Sequence, residues 1–175
     1  IKHEIKIARS IKGKILHFVH TSPVERQYFL QSDFVELWKE IERGGGSIGV
    51  HCHEEELFSH GKLNEQEKLE QSIRSITYPL RDKGLHLISY RGGYLTFCKS
   101  IIPILEKNGI VLDFSCSSGR YLHYKGRLIA DWREAPKNYY RMCYRDHRKE
   151  GKSNLIEIPL GKLKHRALYI DVTSL

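Results

Sequence analysis

No apolar run in this 175-residue chain approaches the roughly twenty residues that a membrane-spanning helix needs, so no span is expected. Nothing ahead of the first apolar run reads as a signal peptide. Cys52, Cys98, Cys116 and Cys143 are widely spaced, with no Cys-x-x-Cys pair. That spacing argues against a structural zinc knuckle and suits a reducing compartment such as the cytoplasm, although an excised secreted domain would look the same. Internal repeats and low-complexity linkers are absent, and the length suits one domain over residues 1–175. Aspartate is missing from residues 1–13.

What is present in excess is positive charge. The formal net charge is +8 and the pI is near 9.3. Nucleic-acid binding would need those charges in a dense block, and they are spread along the chain. The tightest group, Arg141, Arg145, Arg148 and Lys149, is mixed with Asp146 and Glu150. A solvated basic face is the expectation, with no nucleic-acid partner.

Apolar runs alternate with helical patterns over most of the length. Residues 14–20 read as a buried strand ending at Thr21-Ser22-Pro23. Ser32 or Asp33 can cap a helix running to about Arg43, which the glycines 44–46 stop. Residues 47–51 form the next strand, and Asn64 can cap a helix over about 65–82. A strand over 85–90, a helix over 96–108 with Pro103 inside it, and a strand over 110–114 follow. Such alternation predicts parallel strands with helical crossovers. Beyond Cys116 the pattern shifts to a hairpin around Lys125-Gly126 and to strands at 154–160 and 167–172.

The densest chemistry follows the second strand, in His51-Cys52-His53-Glu54-Glu55. Side chains at i and i+2 of a strand share a face, so His51 and His53 can converge on one ion, with Cys52 pointing away. If the chain turns helical after His51, Glu55 takes the second position instead. Arg91-Gly92-Gly93-Tyr94 follows the third strand and offers a fixed cation on a flexible backbone. Asp113 and Ser115, two apart at the end of the fourth strand, point towards the same rim. Tyr121, Tyr124, Trp132, Tyr139, Tyr140 and Tyr144 suit packing, and also stacking on sugars. His17, His20, His86 and His123 read as packed or surface histidines.

In this order, these motifs resemble the polysaccharide deacetylase family, the chitooligosaccharide deacetylase homology domain. Residues 34–55 are similar to that family's helix, glycine and metal-histidine segment. Residues 89–109 resemble its arginine motif and following helix, and residues 112–115 and 155–160 resemble later barrel strands. The resemblance implies an α/β fold, a distorted and incomplete (β/α) barrel. It further implies a divalent metal, usually zinc, and hydrolysis of N-acetyl groups on a glycan or glycan precursor. By the resemblance, His51 is a metal ligand, with His53 or Glu55 as its companion. Arg91 supports a catalytic aspartate by the same resemblance, and Tyr94, Asp113 and Ser115, read from their places at strand ends, are the expected contacts to a carbohydrate substrate.

The departures are specific. The family's Asp-Asp strand should precede residues 14–20, where no aspartate exists, and its late acid histidine has no counterpart except His165 in an unsuitable setting. Both ends look cut. The alternative is a catalytically incomplete carbohydrate-binding or scaffold domain.

Overall fold

The computed structural model describes residues 1–161; the strand expected at 167–172, and His165, lie outside them. Helix α1 (Lys2–Ser10) precedes strand β1 (Leu16–His20). Helices α2 (Pro23–Phe29) and α3 (Ser32–Arg43) lead to β2 (Ser47–Cys52). A short hairpin, β3 (Phe58–Ser59) and β4 (Lys62–Leu63), comes before α4 (Gln66–Asp82). Strand β5 (Ser89–Gly92), α5 (Ile101–Lys107) and β6 (Leu112–Asp113) follow. Two more hairpins, β7 (Tyr121–Tyr124) with β8 (Arg127–Asp131) and β9 (Tyr140–Cys143) with β10 (Asp146–Glu150), precede β11 (Ile156–Glu157).

Among the described residues, seven strands form one sheet in the order β1-β2-β5-β6-β11-β9-β10. The first five are parallel, and β9 and β10 add antiparallel pairs at one end. The expected parallel α/β arrangement is therefore present. Among the described residues the sheet is open, with β1 and β10 at its edges.

The steps β1 to β2 to β5 to β6 all move the same way across the sheet. Right-handed crossovers then place their helices on one face. The burial pattern agrees: Val19, Ile48, Val50, Cys52 and Tyr90, which share that face by strand alternation and register, are all buried. Helix α3 lies against β2, and its Trp38 stacks on His17 with ring centroids 4.7 Å apart. Val35, Trp38 and Ile41 form the buried stripe of α3 at helical spacing. Gly45, at φ +77, turns the chain out of α3 in a conformation that other residues resist. Trp38→Ala should cost about 3–5 kcal/mol, because the indole is fully buried and donates to Phe29 O at 3.1 Å. Urea denaturation measures it; a loss below about 1 kcal/mol would mean that the stripe does not anchor the sheet.

Several boundaries differ from expectation. Neither Ser32, Asp33 nor Asn64 caps a helix: the N-cap residues are Gln31 and Glu65, without side-chain cap bonds. The run 85–90 is apolar, yet β5 begins only at Ser89. Arg81 explains part of this, because its guanidinium donates to Leu87 O at 2.7 Å and so takes a carbonyl that a neighbouring strand would have used. The helix expected from 96 starts at Ile101, since Thr96 is extended. The hairpin at Lys125-Gly126 is as expected, with both residues at positive φ. No helix among the described residues is long and apolar enough to cross a membrane.

Candidate metal and substrate site

Register brings the site together. In the parallel ladder His20 pairs with His51, and His51 pairs with Arg91. Paired residues of adjacent strands point to the same side, so these three side chains form one row across the C-terminal ends of β1, β2 and β5. The row lies on the face opposite the helices. Its floor is Phe18, whose ring crosses Gly49; a Cβ there would sit 2.6 Å from that ring.

His53 follows β2 by one residue and joins the cluster. One ring nitrogen each from His20, His51 and His53 lies within 4.8 Å of the others. The His51 and His53 ring centroids are 4.6 Å apart, and His53 stacks on His20 at 4.8 Å. The structure thus brings His51 and His53 onto one side, and adds His20, which sequence reasoning had set aside as packing. Its signal was available: β1, like β2, is an apolar run ending in histidine.

Outer partners decide which ring nitrogens are free. His51 Nδ1 lies 2.9 Å from Arg91 O, and a carbonyl only accepts, so Nδ1 carries the proton and Nε2 keeps its lone pair. His53 Nδ1 lies 2.7 Å from Glu55 Oε1, an ion-pair contact not aligned as a hydrogen bond, and the negative oxygen beside it favours a proton on Nδ1. His20 is the opposite case. Its Nδ1 accepts the Ser22 backbone N–H at 3.0 Å, so the neutral ring presents Nε2–H, a donor. His51 and His53 therefore fit a cation directly, while His20 must release Ser22 before it can.

Burial favours the neutral form of His51 and His20. The His51 pKa falls from 6.5 to about 4, chiefly by desolvation, with the nearby His53, His20 and Arg91 adding to the effect against the Arg91 carbonyl. Burial, then His53, also lowers His20.

Glu55 opens a 3-10 turn, Glu55–Leu57, and is buried behind His53. Its carboxylate lies behind that ring, outside the group of three histidine nitrogens that could hold an ion. Burial raises its pKa, against the pull of His53. Gly93 is the close neighbour that this pair demands. A Cβ at that position would fall on Glu55 Oε1 and lie 2.5 Å from His53 Nδ1. Gly93→Ala should therefore displace His53 and weaken zinc binding by about 10–100-fold, as loss of an outer partner does. Zinc titration measures this, and unchanged affinity would dismiss Glu55 as the orienting group. Glu54 turns aside to accept from Thr21 Oγ1 at 3.1 Å. Cys52 is buried on the helix face.

Arg91 serves His51 through its backbone carbonyl. Its side chain lines a groove of about 590 Å³ together with His51, Tyr94 and Arg120. Tyr94 and Leu95 are both left-handed, at φ +47 and +62. Trp132 Nε1 holds that kink by donating to Leu95 O at 3.0 Å. The kink sets Tyr94, 58% exposed, edge-on to His53 and against Tyr124 of the β7–β8 hairpin, with centroids 5.3 and 4.9 Å apart. Strained backbone thus presents an exposed aromatic ring beside the polar cluster.

Asp113 and Ser115 sit elsewhere. Asp113 pairs with Tyr90 in register, which puts it on the helix face, and both residues are fully buried. Ser115 Oγ donates to Asp113 Oδ1 at 2.7 Å and accepts from Gly92 N at 2.8 Å. These bonds brace β5 against β6, and neither residue is among those that line the groove. Asp113 also faces Glu157, its partner in register on β11. Burial raises the Asp113 pKa from 3.8 to about 6 and the Glu157 pKa well above its usual value. Asp113 Oδ2 and Glu157 Oε2 lack any other partner among the described residues, and one shared proton satisfies both.

No family model matches the chain, and no curated protein matches it. Among solved structures, it is similar to the crystal structure of a protein from Mycobacterium smegmatis named a "putative polysaccharide deacetylase". The TM-score is 0.51 at 15% identity over 90% of this chain. The chain spans 44% of the length of that structure. The likeness is one of fold: the chain has a deacetylase-like α/β architecture, with a histidine cluster able to hold a metal ion at the strand ends.

Proposed function

We propose that the chain is a metal-dependent carbohydrate N-deacetylase domain, a hydrolase of amide C–N bonds. The observation that carries this reading is the row of His20, His51 and Arg91 at the ends of three parallel strands, joined by His53 and opening on a groove. Likeness of fold to a structure of that name supports it, and the incomplete barrel belongs to the same reading.

His51 and His53 would hold a divalent cation through Nε2, and paired imidazoles suit zinc. Such a cation supplies a Lewis acid that polarises an acyl carbonyl and activates water. The chain's own groups do the rest. Arg91 O fixes His51 in the tautomer that leaves Nε2 unprotonated, and the Glu55 carboxylate beside Nδ1 favours the same for His53. His20 Nε2–H donates to the oxygen on which charge develops when the amide carbon becomes tetrahedral. Tyr94 and Tyr124 offer a sugar ring an aromatic wall.

One observation favours the second reading, a carbohydrate-binding or scaffold domain without catalysis. No carboxylate lines the groove among the described residues: Glu54 is tied to Thr21, Glu55 backs His53, and Asp113 is buried against Ser115. Acetate release from N-acetylated oligosaccharides by zinc-loaded protein separates the two. Release that disappears in His51→Ala supports the enzyme; zinc uptake and sugar binding without any release support the scaffold.

A further inference from the structure

Among the described residues, two arginines of the groove have no carboxylate beside them. Arg91 comes from β5 and Arg120 from the turn between β6 and β7, and both line the same cavity. Neither side chain makes an ion pair or a hydrogen bond to a protein group among the described residues, and no aspartate or glutamate is among the lining residues. Some arginines of the protein are neutralised by carboxylates, Arg148 with Asp131 and Asp146, Arg133 with Asp131 and Arg74 with Glu70, whereas Arg91 and Arg120 share a cavity lined by none. The backbone beneath Arg120 is fixed on both sides, its N–H donating to Ser117 O at 3.0 Å and its carbonyl accepting from Trp132 N at 2.7 Å. Arg91 is equally fixed, in mid-strand.

We infer that this groove is an anion subsite, in which Arg91 and Arg120 grip an oxyanion carried by the sugar. Two like charges facing one cavity repel each other, and a bound carboxylate, phosphate or sulfate ester removes that repulsion. Guanidinium groups match those planar or tetrahedral oxyanions with paired N–H donors. Tyr94 lines the groove as well and also touches His53, so an anionic group held by the arginines leaves the sugar ring beside the histidine cluster. The substrate class is then an acidic N-acylated saccharide. The subsite also gives Arg91 a role that needs no catalytic aspartate.

This inference rests on the deacetylase reading for the reacting group but not for binding, so the test reads binding. Calorimetric titration of the whole chain is made with N-acetylglucosamine, N-acetylglucosamine 6-phosphate and N-acetylmuramic acid, with zinc uptake measured separately. At least one charged sugar should bind about tenfold tighter than the neutral one, with a preference that falls as salt rises. Arg120→Gln and Arg91→Gln should each bring that preference below about threefold, with unchanged thermal midpoints. Tighter binding of the phosphate ester identifies an ester, and tighter binding of the muramic acid identifies a carboxylate. Equal binding of all three, no binding of either charged sugar at millimolar concentration, or a preference that survives Arg120→Gln overturns the subsite. Loss of zinc uptake with the anion preference intact overturns the deacetylase reading alone.

Discussion

Replacing His51 by alanine should abolish zinc uptake, lowering affinity by more than about 100-fold, beyond what loss of an outer partner costs. The reason is geometric: His51 is the central member of the row, bonded behind to Arg91 O and flanked by His20 and His53. A cation at about 100 times its dissociation constant should stabilise the wild type by about 2.7 kcal/mol, or roughly 5–10 °C in Tm for a domain of this size. His51→Ala should show no such rise. His20→Ala is the informative contrast. A ring whose Nδ1 already accepts from Ser22 contributes a donor, so its loss should change zinc affinity by less than about tenfold while lowering turnover more. Equal loss of zinc binding in the two variants would show that His20 is a ligand on the same footing as His51.

The second large effect concerns the buried carboxyl pair. Asp113 and Glu157 both have pKa values raised by burial, so the folded chain keeps protons that the unfolded chain releases near pH 4. Their contribution to stability is complete below that pH and is lost as pH rises through about 6 and beyond. Burial lowers His51 and His147 to about 4, and these work in the other direction, destabilising the fold as pH falls from 6.5 towards 4. The wild-type profile therefore mixes opposite slopes, and a single variant separates them. In Glu157→Gln the amide can still accept from Cys116 N, as Glu157 Oε1 does at 3.0 Å, and can donate to Asp113 Oδ2 without a titrating proton. Its stability relative to wild type should climb with pH, by on the order of 2 kcal/mol between pH 5 and pH 8. Urea denaturation at several pH values measures it, and a pH-independent difference would disprove the shared proton.

The first half of the chain was legible because its strands are short apolar runs separated by helices with one apolar stripe. Residues 14–20, 32–43, 47–51 and 65–82 needed no more than that. What period two could not supply was which face of the sheet the helices cover. Asp113 and Ser115 lie side by side, joined by the Ser115 Oγ bond to Asp113 Oδ1, and they point inward because Asp113 is in register with Tyr90. His51 and His53 follow from the same rule and fall on the open side. His20 was missed for a related reason: its importance comes from standing opposite His51 in the ladder, and alignment between strands is not written in either strand alone. The two-residue pieces β6 and β11 were over-extended for want of knowing where pairing stops. Helix α1 and the β9–β10 hairpin were not foreseen.

Strand β1 pairs with β2 and, among the described residues, with no other strand of the sheet. An outermost strand is where a fold opens first, and its amides exchange with solvent through small local excursions. Because His20 rides on that strand while His51 and His53 belong to its neighbour, anything gripping all three clasps the margin of the sheet to its interior. Hydrogen–deuterium exchange at Phe18, Val19 and His20 should then slow when a substrate that accepts from His20 is added, far more than exchange in α4 and far more than with zinc alone, which His51 and His53 hold. Filling the site and sealing the sheet margin would be a single event.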